Sequence, residues 1–199
     1  MAANERQVFM VTAAKRHGKS TTVRSIAEAM DKNILVYKQG SKINDPAFIG
    51  YPVMPLSKYT GGKAIIDGGR IEYEDFLRQV YKYFRNGVVV IDDAAHYETN
   101  DPSKPLKRIL IDCRSLGIDV IMVFHSLEDT PVRLFGYTDL LILGYCGGNF
   151  EYKLRKLPEG TEITEASRDI KAIVRACRCE SQKPCKCGRR YVRRVIKLT

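Results

Sequence analysis

The stretch that most constrains how this chain folds runs from Val8 to Met30. A short apolar run, Val8-Phe9-Met10-Val11, leads into a turn that ends in Gly18-Lys19-Ser20-Thr21. A helical stretch follows, with Val23, Ile26, Ala27 and Met30 on one face. A buried strand, a tight turn and a helix N-terminus, in that order, make a site for phosphate groups. The turn's backbone N–H groups and the positive end of the helix dipole both attract an anion. The nucleotide-contacting loop is read as Ala13, Ala14, Lys15, Arg16, His17, Gly18, Lys19, Ser20 and Thr21. Lys19 is placed to reach the β- and γ-phosphates of ATP, and the Ser20 hydroxyl to ligate Mg²⁺. One position departs from the pattern G-x-x-x-x-G-K-[ST]: Ala13 stands where the first glycine is usual. Alanine tolerates positive φ poorly, so a less permissive start to the loop is expected.

A chain of 199 residues accommodates one α/β domain with a modest addition. The division expected is an ATPase domain over 1–160, then a C-terminal helix and basic Cys-rich tail over 161–199. With 44% hydrophobic and 28% charged residues the composition is that of an ordinary globular protein. No apolar run approaches the roughly 20 residues of a membrane span. Met1-Ala-Ala-Asn-Glu-Arg-Gln7 lacks the apolar core of a signal peptide, which implies a cytoplasmic location.

Strand and helix signals alternate along the chain. Asn33–Lys38 reads as a buried strand, and 39–72 as a Gly- and Pro-rich irregular segment in which Gly61–Gly69 forms a strand pair or projecting loop. Lys58, Lys63 and Arg70 would face a substrate there, or be merely solvated. Tyr73, Phe76, Leu77, Val80, Tyr81 and Phe84 make a helical apolar stripe, stopped at Asn86-Gly87. Val88-Val-Val-Ile-Asp92 is a strand buried on both faces, and it ends in two carboxylates, Asp92 and Asp93. Strand ends are where ligands bind in open α/β sheets. Asp92 would hold Mg²⁺ and Asp93 would orient or activate the attacking water. A helix from Asp101 to Gly117 follows, then the strand Ile118–Phe124 with His125 at its end. A short helix around Val132–Phe135, the strand Asp139–Gly144, a helix carrying Ala166, Ile170 and Val174, and a final strand within Tyr191–Leu198 complete the reading. Such alternation favours a three-layer α/β sheet.

Charge and cysteines are segregated. Of the net charge of +10, the residues from Lys171 onward contribute +9. A near-neutral body with a concentrated basic end is the footprint of a polyanion binder. Arg178, Lys183, Lys186, Arg189, Arg190, Arg193 and Arg194, together with Lys63, are the candidate phosphate contacts on nucleic acid. Cys113 and Cys146 lie in apolar contexts and read as small buried hydrophobes. Cys177, Cys179, Cys185 and Cys187 follow a C-x-C-x5-C-x-C pattern, either a Zn²⁺ clip or a basic hairpin with free thiols.

Three blocks together resemble the FtsK/HerA superfamily of P-loop ATPases, and within it the viral genome-packaging ATPases. They are Ala13–Ser20, Asp92-Asp93, and the run from Leu110 through Arg114 to His125-Ser126. The resemblance covers residues 7 to 145. It implies a three-layer, ASCE/RecA-like P-loop fold with a mostly parallel central sheet, and a homo-oligomeric ring, often a hexamer. ATP would lie between neighbouring subunits, with double-stranded DNA in the channel and capsid or portal-vertex proteins as further partners. In this family Arg114 matches the arginine that reaches a neighbour's ATP, a role worth roughly 10³–10⁵-fold in rate; otherwise it is a solvated helix-end arginine. Asp93 stands where glutamate is usual and His125 where a polar sensor, usually glutamine, is expected. Three functions stand against one another: a DNA translocase that packages a viral genome, a thymidine-kinase-like nucleoside phosphotransferase, and an ATP-gated nucleic-acid-binding assembly protein with little turnover.

Overall fold

The computed structural model describes residues 6–30, 33–40, 44–99, 101–148, 150–177 and 191–198. Among them eight strands form one sheet: β1 (Val8–Thr12), β2 (Asn33–Lys38), β3 (Val53–Met54), β4 (Lys63–Asp67), β5 (Gly87–Ile91), β6 (Ile118–Phe124), β7 (Leu140–Leu143) and β8 (Arg194–Lys197). Their spatial order is β3-β4-β2-β5-β6-β1-β7-β8. Every neighbouring pair is parallel except β7 with β8. The helices are α1 (Lys19–Ala29), α2 (Tyr73–Tyr83), α3 (Lys104–Leu116), α4 (Val132–Phe135), α5 (Glu151–Leu154) and α6 (Gly160–Arg175).

Side chains alternate across the sheet and divide the core in two. Val8 and Met10, Leu35 and Tyr37, Val89 and Ile91, and Val120, Met122 and Phe124 all face one way. They pack beneath Phe76, Leu77 and Val80 of α2, Leu106 and Ile109 of α3, and Ile163 and Ile170 of α6. Phe9, Val11, Ile34, Val36, Val88, Val90, Ile121 and Val123 face the other way, beneath Val23 and Ala27 of α1 with Phe48 and Tyr51. Each such apolar side chain contributes about 1.5–3 kcal/mol on burial. Because both faces are covered, the central strands are continuous apolar runs, as expected of a three-layer α/β sheet.

Local chemistry sets the helix ends. The Ser103 hydroxyl caps α3 by accepting from the Leu106 N–H, Pro105 occupies the first turn, and Gly117 closes the helix in a left-handed conformation at φ 68°. Ser103 is held in turn by the buried Glu98, whose carboxylate accepts from its N–H at 2.6 Å and its hydroxyl at 2.8 Å.

One expectation is corrected. Within Gly61–Gly69, Lys63–Asp67 is neither a projecting loop nor one arm of a hairpin. It is a parallel strand of the central sheet, with Ala64, Ile65 and Ile66 fully buried between β2 and β3. The flanking glycines mask a short strand whose period is too brief to stand out. Beyond residue 160, Ile163, Ile170, Ile196 and Leu198 belong to the same core as the β1 and β6 side chains. No described helix is long and apolar enough to cross a membrane.

Candidate nucleotide site

The sheet order decides which side chains meet. The phosphate-loop strand β1 and the acidic strand β5 are not neighbours, because β6 lies between them. The loop after β1, the residue after β6 and the carboxylates after β5 therefore emerge side by side at one edge of the sheet.

The loop leaves β1 at Ala13. This residue is fully buried and is not among those with positive φ; the left-handed positions are Arg16 at 68° and Gly18 at 75°. The backbone freedom of glycine is thus needed at Gly18 and not at Ala13, which corrects the expectation of a strained start. Across the loop, Gly144 makes room for the Ala13 methyl: a Cβ on Gly144 would lie 2.7 Å from Ala13 Cβ. The Ala14 N–H donates to the Tyr145 carbonyl at 2.6 Å, and the His17 ring stacks on Tyr145 with centroids 4.8 Å apart. Lys15, Arg16 and Thr21 are exposed at the mouth of the site.

Lys19 is buried at the start of α1. Its ammonium donates to the carbonyls of Ala13 at 2.7 Å and Ala14 at 3.3 Å, and to His125 Nδ1 at 2.8 Å. An ammonium has only protons to give, so Nδ1 accepts and the other ring nitrogen, Nε2, carries the proton. Nε2 faces Asp93 Oδ1 in a direct contact. Lys19, His125 and Asp93 thus form one continuous chain from the phosphate loop to a carboxylate that is itself buried. Asp93 holds this place in a left-handed conformation, φ 52°. That strain, uncommon outside glycine, is of the kind that concentrates at functional sites.

A second cluster lies alongside. Lys38, the last residue of β2, is fully buried and lies over the Phe48 ring. Its ammonium is 2.6 Å from Asp92 and 2.9 Å from Asp45. Burial pushes the Asp45 carboxyl up, but the Ala47 amide, the Lys38 ammonium and the Ser20 hydroxyl together hold it below the usual carboxylate value. Ser20, Asp45 and Asp92 line one cleft of about 510 Å³ with Gly18, Lys19, Asp93 and His125. A hydroxyl and two carboxylates are an oxygen-only donor set, which suits Mg²⁺, and the volume suits a nucleotide. Lys38 and Asp45 were missed in the sequence. The available signal was a lysine ending an otherwise apolar strand at the ligand-binding edge.

Other predicted site residues lie elsewhere. Arg114 is exposed in the last turn of α3 and lines a cleft with Val8, Asp139 and Leu198, at the starts of β1 and β7. The length of β1 separates that edge from the phosphate loop, about 16 Å at ~3.3 Å per residue. Lys63 lies at this same opposite edge, bound to Glu28 at 2.9 Å, a placement that removes it from the nucleotide site. Arg193, read from sequence as a nucleic-acid contact, packs against the phosphate loop instead, donating to the His17 carbonyl. Arg194 is exposed at the start of β8. Cys113 and Cys146 are buried, and Cys177 is partly exposed. Cys179, Cys185, Cys187, Arg178, Lys183, Lys186, Arg189 and Arg190 lie outside the described residues.

A phosphate loop on β1, an acidic end on β5 and an extra strand between them define a P-loop NTPase fold. In its fold the chain is similar to the genome packaging NTPase B204 from Sulfolobus turreted icosahedral virus 2, solved in complex with AMP. The TM-score is 0.69 at 16% identity, covering 98% of this chain and 94% of that one. B204, the DNA-packaging ATPase from Sulfolobus turreted icosahedral virus, matches with a TM-score of 0.66 at 18% identity, over 85% of this chain and 89% of that one. The N-terminal domain of zonular occludens toxin from Neisseria meningitidis matches at 0.50 with 14% identity, over 69% and 76%. At these identities the likeness establishes the fold. No protein-family model matches the chain. The Holliday junction branch migration complex subunit RuvA of Bordetella petrii is 36% identical over 74 residues, 36% of this chain and 38% of that relative's length. The chain thus spans little more than a third of the curated relative it matches.

Proposed function

We propose that this protein is an ATP-hydrolysing motor that moves double-stranded DNA, packaging a viral genome into a capsid. The observation that carries the reading is the Lys19–His125–Asp93 chain beside the Ser20–Asp45–Lys38–Asp92 cluster. The fold shared with DNA-packaging ATPases supports it. In this reading the loop amides and Lys19 bind the ATP phosphates, and Ser20 and Asp92 hold Mg²⁺, which neutralises charge on the phosphates. Asp93 accepts a proton from the attacking water and fixes its direction, and His125 keeps Asp93 in register with Lys19. Arg114, far from its own site, acts on the ATP of a ring neighbour. The basic tail contacts DNA phosphates, with its four cysteines as a zinc clip, and the protein works in the host cytoplasm or on the virion.

The test is phosphate release measured with and without double-stranded DNA, alongside nucleoside phosphorylation. DNA-stimulated release that Lys19→Ala abolishes is the expected result. Nucleoside phosphorylation with no response to DNA would overturn the reading in favour of a phosphotransferase, and slow, DNA-independent turnover would favour an assembly protein. Zinc content of the purified protein decides the clip separately.

A further inference from the structure

The segment leading into β8 lies against the phosphate loop. β8 is anchored by Ile196 and Leu198 in the core and by its antiparallel ladder with β7. Tyr191 and Arg193 precede it, and a Cβ placed on Gly18 would sit 3.2 Å from the Tyr191 ring and 3.4 Å from Arg193 Nη2. On Gly144 it would sit 2.7 Å from Arg193 Nη1. Two glycines of the site thus admit this one side chain.

The guanidinium is poorly compensated. Nη2 donates to the His17 carbonyl, and Nη1 donates to the carbonyl of its own neighbour Val192 at 2.9 Å. Nε is buried without a hydrogen-bond partner among the described residues, and no described carboxylate pairs with this arginine. A half-buried cation with no described carboxylate beside it leaves its positive charge unbalanced, and the fold holds it against the loop that gathers phosphates.

We infer that Arg193 is a positioning residue of the nucleotide site, clamping the phosphate loop through His17 and supplying positive charge that a bound polyphosphate neutralises. The inference rests on the nucleotide reading of that loop. A charge behind the loop acts in proportion to the charge in front of it, so its contribution grows from AMP to ADP to ATP. A clamp that merely shaped the loop would affect all three alike.

The experiment is titration of the full chain with AMP, ADP and ATP, for wild type, Arg193→Gln and Arg193→Lys. Arg193→Gln is expected to weaken ATP about tenfold, which is ~1.4 kcal/mol, ADP less, and AMP least. Arg193→Lys keeps the charge and is expected to recover much of the ATP affinity. Should Arg193→Gln fail to fold, Arg193→Met removes the same charge while keeping an apolar stem, and carries the test through the order of its losses across the three nucleotides. Equal losses for all three, or none, would overturn the inference. A wild type that binds no nucleotide would instead bring down the nucleotide reading itself.

Discussion

Replacing Lys38 with methionine keeps the apolar stem over Phe48 and removes one buried charge. The ammonium is fully buried, while the Asp45 and Asp92 side chains retain 19% and 12% exposure. Breaking a buried ion pair by deleting one partner costs about 3–5 kcal/mol, because the other charge is left stranded. Here two carboxylates are stranded but each touches water, which places the loss near the lower end, about 3 kcal/mol. For a domain of this size 1 kcal/mol moves the thermal midpoint by about 2–4 °C, so a fall of roughly 6–12 °C is expected. The loss should depend on pH. Asp45 is held below the usual carboxylate value in the fold. Its contribution is therefore full above its unfolded pKa of about 3.9 and disappears as pH falls through the lower folded value. Melts at pH 7 and in steps below pH 4 should show the gap between wild type and variant closing. Adding Asp92→Asn to Lys38→Met should restore part of the stability, a non-additivity of about 1–3 kcal/mol. A variant as stable as wild type at pH 7, or losses that simply add, would refute the idea that this ammonium holds the two carboxylates in place.

Ala13→Gly should leave nucleotide affinity unchanged and cost about 0.4–1 kcal/mol in a urea melt through unfolded-chain entropy, since position 13 needs no positive φ; tighter binding would contradict this. Gly144→Ala, by contrast, drives a methyl into Ala13 and Arg193. A loss of about 1–3 kcal/mol together with weakened nucleotide binding is expected. Ser103→Ala removes the cap of α3 and a donor to Glu98, and chemical denaturation should register about 1–2 kcal/mol.

What could be read in the chain depended on whether a residue's role is local. The run Val120-Ile-Met-Val-Phe124 announces a buried strand because five successive apolar residues tolerate little else. Gly18-Lys19-Ser20 announces its loop because phosphate binding uses consecutive backbone groups. Lys38 gave only its position at the end of an apolar strand: such a lysine ordinarily reaches water, and this one is buried because Asp45 and Phe48 fold back over the strand end. Arg193 was hidden among neighbouring cations, and only the pairing of β8 with β7 brings it onto the loop. The meeting of His125 with Lys19 and Asp93 required knowing that β6 separates β1 from β5, a fact of sheet order that no single stretch encodes.

The separations along the chain that close this site have a bearing on when it comes into being. Lys19 meets His125 across 106 residues, and His17 meets Arg193 across 176. Contacts so distant are slow to form, because their loops must close before the contacts repay the lost entropy. The loop after β1 therefore acquires its partners only when nearly the whole sheet is assembled, so that on the proposed function ATP would meet a finished fold. Nucleotide should leave the refolding rate unchanged and retard unfolding, with mass action adding about 2.7 kcal/mol at a hundred times its dissociation constant.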